Sequence, residues 1–139
     1  MIRTSRGPAQ TEQIAADLAA TLCSGDCIAL NGELGAGKTH FVHALVAALG
    51  GNPRTVSSPT YVLINIYPIA IGNLFHLDVF RLTGTEDLES IGFAELLDQP
   101  GIVVVEWASR VAELLPRRRI DVGIETLAPT SRRITIERR

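Results

Sequence analysis

Residues 32–39 place the strictest demand on how this chain can fold. The segment reads Gly-Glu-Leu-Gly-Ala-Gly-Lys-Thr and fits the phosphate-binding loop pattern G-x-x-x-x-G-K-[S/T] at every fixed position. In such a loop, glycines let backbone N–H groups close around phosphate oxygens, and the helix that follows directs its positive dipole end at them. Lys38 would reach the β- and γ-phosphates, and the hydroxyl of Thr39 is placed to coordinate Mg²⁺. A chance match in a glycine-rich loop is the alternative.

The flanking sequence supplies the strand and the helix that such a loop needs. The apolar run 27–30 predicts a buried strand before the loop, and apolar residues at helical spacing over 41–49 predict a helix after it. Upstream, the same spacing over 14–22 predicts a first helix, which Thr11 would cap and Gly25 would end. These flanks make a chance match the weaker interpretation.

The rest of the chain alternates between strand-like and helical segments. The strand-like runs are 61–69, 74–80, 102–105, 120–124 and 134–136. The helical stretches are 85–97, interrupted at Gly92, and 107–115, closed by Pro116. Turns are predicted at Gly72-Asn73 and over 127–131. The unbroken β-branched run 102–105 is typical of a strand that is covered on both faces.

Charge narrows the function classes only slightly. The chain has 139 residues and a net charge of −2, which argues neither for nor against binding to nucleic acid. From Pro116 onward, however, seven arginines stand against three acidic residues. Such a basic end could meet RNA or an acidic partner, although a solvated surface is the more frequent explanation.

Cysteine usage and hydropathy bear on the compartment. Cys23 and Cys27 are separated by three residues, with no second ligand pair nearby, which favours reduced thiols over a zinc site. The first residues do not resemble a signal peptide, and no apolar run approaches the length of a membrane span. We therefore expect a cytoplasmic protein with no membrane partner.

Two carboxylates outside the loop are candidates for the chemistry. Glu106 ends the run 102–105, and a carboxylate in that place lies near the bound metal in phosphate-loop proteins, usually as aspartate. The alternative to a metal-binding role is that Glu106 is only a surface glutamate. Asp78 shares one face of an alternating strand with His76, so it could position the attacking water or support the metal, or it could form a structural ion pair with Arg81. His76 is interpreted as a hydrogen-bonded neighbour rather than a base.

Other polar residues near the loop carry weaker signals. A Ser or Thr hydroxyl within 57–61 could sense the γ-phosphate and the metal, as in nucleotide switches, although the segment could also be only a turn. His40 and His43 lie three residues apart on the loop helix. Without further ligands they make a poor metal site, and surface or packing roles are favoured.

Four sequence blocks occur together in this chain. They are residues 32–39, Ser58-Pro59-Thr60-Tyr61, His76-Leu77-Asp78-Val79-Phe80-Arg81-Leu82 and Glu106-Trp107. In this order and spacing they resemble the TsaE family, the bacterial ATPases of threonylcarbamoyladenosine biosynthesis, over nearly the whole chain. Many nucleotide-binding proteins share the first block, but its combination with H-x-D-x-[Y/F]-R-L and E-W is much more specific.

The resemblance implies an α/β fold and a set of site residues. The fold would be P-loop NTPase-like, with a mostly parallel central sheet flanked by helices and a C-terminal antiparallel strand pair, in a single domain over 1–139. Lys38, Asp78 and Glu106 would be catalytic, and Thr39 and Glu106 would bind Mg²⁺. The residues that would contact the nucleotide are Thr11, Glu33, Leu34, Gly35, Ala36, Gly37, Lys38, Thr39, His40, Thr60, Trp107 and Arg132. Of these, Thr11 would lie against the base, Thr60 would belong to a switch, and Arg132 or its neighbour Arg133 would reach the base.

Two departures from the family pattern leave this chemistry unchanged. His40 stands where a second threonine is expected, and residues 67–73 make a tight connection in place of a longer excursion. The first difference should affect helix packing more than metal binding.

The resemblance also implies a function. Family members use ATP hydrolysis to reset or sustain the complex that attaches a threonylcarbamoyl group to adenosine beside the anticodon of certain tRNAs. The implied cofactors are ATP and Mg²⁺, the implied partners are TsaB/TsaD-type transferase subunits, and tRNA would be met through that complex; DNA is not implied. No arginine finger can be assigned, with Arg81 and Arg110 as candidates, so we expect slow hydrolysis by the protein alone.

Three other functions compete with this interpretation. A small-molecule kinase and a non-catalytic ATP-binding subunit both remain open as alternatives. A GTPase is disfavoured, because guanine selection by an N-K-x-D motif needs a second lysine and the chain has only Lys38.

Overall fold

The computed structural model describes residues 1–33, 35–54, 64–80, 82 and 85–139. Its seven strands are β1 (Ile2–Ser5), β2 (Cys27–Gly32), β3 (Ile64–Ile69), β4 (Gly72–Asp78), β5 (Gly101–Glu106), β6 (Ile120–Ala128) and β7 (Ser131–Arg138). Its helices are α1 (Pro8–Ala19), α2 (Lys38–Ala48), α3 (Thr85–Ser90), α4 (Phe93–Leu97) and a 3₁₀ helix over Ala108–Leu114.

All seven strands belong to one mixed sheet, in the order β1-β7-β6-β2-β5-β4-β3. The four central strands, β6, β2, β5 and β4, run parallel to one another. The outer strands pair antiparallel: β3 with β4 on one edge, and β7 with β6 and β1 with β7 on the other. The predicted α/β class, with a parallel centre and a C-terminal antiparallel strand pair, is therefore confirmed.

Helices cover both faces of the sheet, and a hydrophobic core lies on each side. The core under α1 and α2 includes Ile14, Leu18, Ile28, Leu30, Phe41, Leu45, Leu74, Ile102 and Val104. The core under α3, α4 and the 3₁₀ helix includes Ala29, Phe75, Leu77, Leu88, Phe93, Val103 and Val105. Consecutive side chains of β5 enter opposite cores, which is why its sequence is an unbroken apolar run.

The first helix differs from the sequence prediction at both ends. It begins at Pro8, where a missing N–H costs nothing, so Thr11 is not its cap but a buried residue within it. It ends at Ala19 rather than at Gly25, and the hydroxyl of Thr21 donates to a carbonyl of the last turn at 2.8 Å. Gly25, with a φ of +99°, lies in the turn that leads into β2.

Three smaller differences lie elsewhere. The edge strand β1 was not predicted. The β3–β4 turn falls on residues 70–71, and Gly72 instead opens β4 with a φ of +131°; a Cβ there would meet the Pro100 carbonyl oxygen at 2.3 Å. The segment predicted as a helix over 107–115 is a 3₁₀ helix, with non-helical dihedral angles at Val111. In the described ranges, no helix has the length and apolar character needed to cross a membrane.

Candidate active site

The candidate site lies where the carboxyl ends of β2, β4 and β5 meet the beginning of α2. These strands are parallel, so their carboxyl ends share one edge of the sheet, which is the usual position of ligand sites in open α/β sheets. Residues 33–37 connect β2 to α2 across this edge. The fold therefore brings the loop motif and the strand-end carboxylates to one place.

The loop has the backbone geometry that phosphate binding requires. Gly35 and Gly37 have φ values of +80° and +100°, in the left-handed region that favours glycine. A Cβ on either residue would have no atom within 4 Å, so the backbone faces open space there. The N–H of Ala36 is bonded to the Glu33 carbonyl oxygen at 3.0 Å, which closes the turn before α2. The N-terminus of α2 thus opens toward a space that phosphate could fill.

Lys38 is the best-defined functional side chain of the site. It is only 6% exposed, and its Nζ donates to the carbonyl oxygens of Gly32, at 2.5 Å, and Glu33, at 2.9 Å. Burial lowers the pKa of this ammonium, while the nearby carboxyl groups of Glu106 and Asp78 act in the opposite direction. The ammonium therefore lies beside the loop, held by two carbonyl oxygens that phosphate oxygens could replace.

Asp78 and Glu106 lie side by side at the ends of adjacent strands. The two residues are in register across the β4–β5 pair, and the charges of both carboxyl groups act on the Lys38 ammonium. Asp78 is partly exposed, and its Oδ1 accepts a hydrogen bond from the Phe80 N–H at 3.0 Å. Glu106 is 4% exposed, and its Oε2 lies 2.5 Å from Nε2 of His76. The predicted hydrogen-bonding role of His76 has a defined partner, which is Glu106.

These side chains provide oxygen ligands of the kind that Mg²⁺ prefers. Thr39 is exposed in the first turn of α2, and Glu106 supplies a carboxylate. Within the described residues, no group of three or more His, Cys, Asp or Glu could hold a metal ion by itself. A cation here would thus need phosphate and water ligands in addition to protein ligands, and Mg²⁺ is usually coordinated in this way in nucleotide sites.

The two histidines of α2 contact neighbouring residues of the protein. Nε2 of His40 lies 3.5 Å from the Pro8 carbonyl oxygen and 3.7 Å from a carboxylate oxygen of Glu12. The His43 ring meets the Tyr67 ring edge-on, with 6.1 Å between centroids. Burial is the first cause that lowers the pKa of His43, followed by the proximity of the other histidines.

Trp107 closes the site from the side of β5. Its backbone is left-handed, with a φ of +61°, which is uncommon for a residue other than glycine. The Lys38 Nζ lies 4.1 Å from the centroid of the indole ring, within range of a cation–π interaction. Phe80 packs on the indole at 4.7 Å between centroids, and the Arg110 guanidinium lies 5.0 Å from the Phe80 ring centroid. Phe80 was not among the predicted site residues, because its neighbour Trp107 is remote in sequence.

A second part of the site is a cavity of about 280 Å³ beside the loop. Its lining includes Thr11, Ala36, Gly37, His40 and Arg132, all of them predicted site residues, together with Ser5, Gly7, Pro8, Ile124, Pro129 and Thr130, which were not. Oγ of Ser5 and Oγ1 of Thr11 lie 2.7 Å apart, and Arg132 donates to the Ala36 carbonyl oxygen at 2.9 Å. Ser5 reaches the cavity because β1 pairs with β7.

The remaining predicted residues fall into two groups. Leu34 and Thr60 lie outside the described residues, as does Arg81, the partner suggested for an ion pair with Asp78. Arg133 extends away from the cavity and pairs with Glu125 at 3.2 Å.

The parallel centre of the sheet, the glycine-rich loop before α2 and the buried Lys38 define a protein of the P-loop NTPase-like class. The family model described as "Threonylcarbamoyl adenosine biosynthesis protein TsaE" matches residues 5–134, and the chain belongs to the TsaE family.

Individual relatives agree with this assignment. A tRNA threonylcarbamoyladenosine biosynthesis protein TsaE from Bacillus subtilis is 37% identical over 128 residues, which cover 92% of this chain and 79% of the relative. The protein of the same name from Treponema pallidum is 38% identical over 112 residues, or 81% of this chain and 82% of the relative. The crystal structure of Bacillus subtilis YdiB superposes with a TM-score of 0.77 at 30% identity, covering 98% of this chain and 83% of that one.

Proposed function

We propose that this protein binds ATP with Mg²⁺ and hydrolyses it in support of the enzymes that form threonylcarbamoyladenosine in tRNA. The observation that carries the proposal is the position of Asp78 and Glu106, in register on adjacent strands and beside the phosphate-binding loop. The names of the relatives, as tRNA threonylcarbamoyladenosine biosynthesis proteins, support the biological setting.

The first step is the capture of the nucleotide phosphates. Backbone N–H groups between Gly35 and Thr39 surround the phosphate oxygens, and Lys38 exchanges its bonds to the loop carbonyls for bonds to the β- and γ-phosphates. The cavity that holds Thr11 and Arg132 takes the nucleoside, since it opens beside the same loop.

The second step is attack by water on the γ-phosphorus, which breaks its bond to the β–γ bridging oxygen and releases ADP and phosphate. Thr39 and Glu106 would hold Mg²⁺, which when bound would supply positive charge to offset the charge that develops on the phosphates. Asp78 orients the water in line and accepts its proton, a role that suits a carboxylate open to solvent. Lys38, already in place, stabilises the same charge without reorganising, so catalysis here is mainly positional and electrostatic.

Turnover by the isolated protein is slow under this proposal. Phosphoryl transfer in P-loop proteins gains about 10³–10⁵ in rate from an added arginine. In this structure Arg110 contacts the Phe80 ring, and no contact between it and the loop is seen among the described residues. TsaB/TsaD-type subunits provide or position the missing charge, and tRNA is met through them.

The test is ATP hydrolysis by the protein alone and with the transferase subunits, using Asp78→Asn and Asp98→Asn as a matched pair. Asp98 is the C-cap residue of α4, on the part of the chain that covers the opposite face of the sheet. Partner-stimulated turnover that Asp78→Asn abolishes and Asp98→Asn preserves is the expected result. Full transferase support by Asp78→Asn would favour a non-catalytic ATP-binding subunit, and phosphoryl transfer to a metabolite would favour a kinase.

Nucleotide binding can be followed separately from hydrolysis by tryptophan fluorescence. Trp107 is the only tryptophan of the chain, and the ammonium of Lys38 lies over its ring. Because phosphate should draw that ammonium off the ring, ATP should change the tryptophan fluorescence of the wild type. Lys38→Met should lose most of this change, and an equal response in the variant would contradict the proposed phosphate contact.

A further inference from the structure

His76 is a buried polar residue for which the proposed chemistry has no use. It lies in β4, is 5% exposed, and faces the same core as Leu74 two residues before it. Buried polar groups carry a cost unless they are hydrogen-bonded, so a histidine at a core position needs a physical reason.

The hydrogen bonds of the ring point to that reason. Nε2 lies 2.5 Å from Oε2 of Glu106, and both side chains are 6% exposed. Nδ1 is buried and has no hydrogen-bond partner among the described residues. Because a carboxylate oxygen only accepts, Nε2 must carry the proton and donate it. Among the described residues, the hydrogen bond to Glu106 is therefore the only one that the His76 ring makes.

The register of the sheet explains how the two residues meet. His76 is opposite Val104 in the β4–β5 pair, and Glu106 follows Val104 by two residues on the same face. The bond therefore runs diagonally between two central strands and fixes the end of the glutamate side chain. Oε1, the other oxygen, accepts no hydrogen bond from the described part of the chain.

We propose that His76 is a positioning residue that holds Oε2 of Glu106 so that Oε1 is presented to the Mg²⁺ of the nucleotide complex. The inference rests on the proposed function and deepens it. We do not assign His76 the role of a base, because Nε2 is hydrogen-bonded to Glu106 and Nδ1 is buried without a hydrogen-bond partner among the described residues. Histidine is suited to the task because its planar ring fixes the carboxylate in both distance and direction.

The test measures metal binding rather than turnover. Mn²⁺ replaces Mg²⁺, a non-hydrolysable ATP analogue occupies the site, and electron paramagnetic resonance gives the Kd of Mn²⁺ for each variant. Loss of an outer partner of a metal ligand typically costs about 10–100-fold in metal affinity, and we expect that range for His76→Leu. The affinity for the nucleotide without metal should stay within about twofold, because His76 touches neither the loop nor the cavity.

Two amide variants make the test specific. The side-chain nitrogen of glutamine can take the place of Nε2, so His76→Gln should restore most of the Mn²⁺ affinity, whereas the shorter His76→Asn should not. In a Glu106→Ala background, His76→Leu should cause no further loss. If His76→Leu does not fold, the comparison of His76→Gln with His76→Asn carries the test alone.

The outcomes separate this inference from the function beneath it. Equal Mn²⁺ affinity in wild type, His76→Gln and His76→Asn would overturn the positioning role and leave the ATPase proposal intact. Equal losses in glutamine and asparagine variants would also overturn it, since any disturbance of the core would then suffice. A wild type that binds no nucleotide in the presence of Mn²⁺ would overturn both.

Discussion

One hydrogen bond joins the C-terminal hairpin to the phosphate-binding loop. Nε of Arg132 donates to the carbonyl oxygen of Ala36 at 2.9 Å, while its Nη1 donates to carbonyl oxygens within the β6–β7 turn, including those of Ala128 and Ser131 at 3.0 Å. The carbonyl oxygens of the hairpin thus fix the Arg132 guanidinium, and the guanidinium in turn is hydrogen-bonded to the loop. Arg132→Ala should release the loop from the hairpin and weaken ATP binding.

The expected magnitude follows from the single bond that crosses to the loop. A hydrogen bond from a charged donor contributes about 1.5–3 kcal/mol, and the partial exposure of Arg132 favours the lower end of that range. Since about 1.4 kcal/mol corresponds to a tenfold change in Kd, the full loss would weaken binding about tenfold. Some of the loop population will keep the binding conformation without the bond, so we expect the Kd for ATP to rise about three- to tenfold.

Calorimetric titration with a non-hydrolysable ATP analogue measures this change, and Arg133→Ala is the matched control. Arg133 is the next residue, carries the same charge, and pairs with Glu125 away from the cavity. Its replacement removes one positive charge without touching the loop. If the two variants bind the analogue equally well, or weaken by the same factor, the bond to the loop is not what Arg132 contributes.

Three further predictions concern thiol labelling, the pH dependence of stability, and two glycine substitutions. Burial raises the pKa of the Cys27 thiol from its ordinary value of 9.0 to about 12, so a disulfide reagent at pH 8 should label Cys23 alone in the native protein; rapid labelling of both would contradict the buried position. Because the unfolded chain releases the Cys27 proton first, stability should fall as pH rises from about 9 toward 12, and Cys27→Ala should reduce that fall in denaturant titrations. Gly101→Ala should cost more than about 2 kcal/mol of unfolding free energy, since φ is +123° and the new Cβ would lie 1.8 Å from a carbonyl oxygen of β4. Gly123→Ala, which meets no atom within 4 Å, should change it by less than about 1 kcal/mol, and similar values for the two glycines would refute the steric argument.

The sequence could predict whatever depends on local pattern. The loop motif needs particular residues at fixed offsets, and the run 102–105 needs only burial on both faces, so both were visible without a structure. Glu106 was recognisable as a carboxylate at a strand end, whereas Asp78 was expected inside a strand over 74–80 and is instead the last residue of β4. Their neighbouring positions follow once both strands are placed in one parallel sheet.

Features that depend on distant pairing were not visible. Four residues with an irregular burial pattern give no strand signal, so β1 emerges only through its register with β7, and Ser5 enters the cavity by that route. Threonine is a residue type that often caps helices, yet the helix begins earlier, at Pro8, so Thr11 lies inside it. The contact of Phe80 with Trp107 likewise requires the ends of β4 and β5 to be adjacent.

The different surroundings of the two carboxylates explain why they can take different roles. Glu106 is buried, and a buried carboxylate is costly unless it is hydrogen-bonded and close to positive charge; His76 provides the hydrogen bond and Lys38 provides the charge. Such a carboxylate is held in one orientation, as a metal ligand must be. Asp78 remains partly exposed and keeps contact with water.

The extra methylene of glutamate gives Glu106 the reach to its diagonal partner, His76. An aspartate in its place would withdraw the carboxylate by about 1.5 Å, the length of one C–C bond, and would lose that hydrogen bond. The glutamate at this strand end, where P-loop proteins usually have aspartate, is thus explained by the histidine beside it.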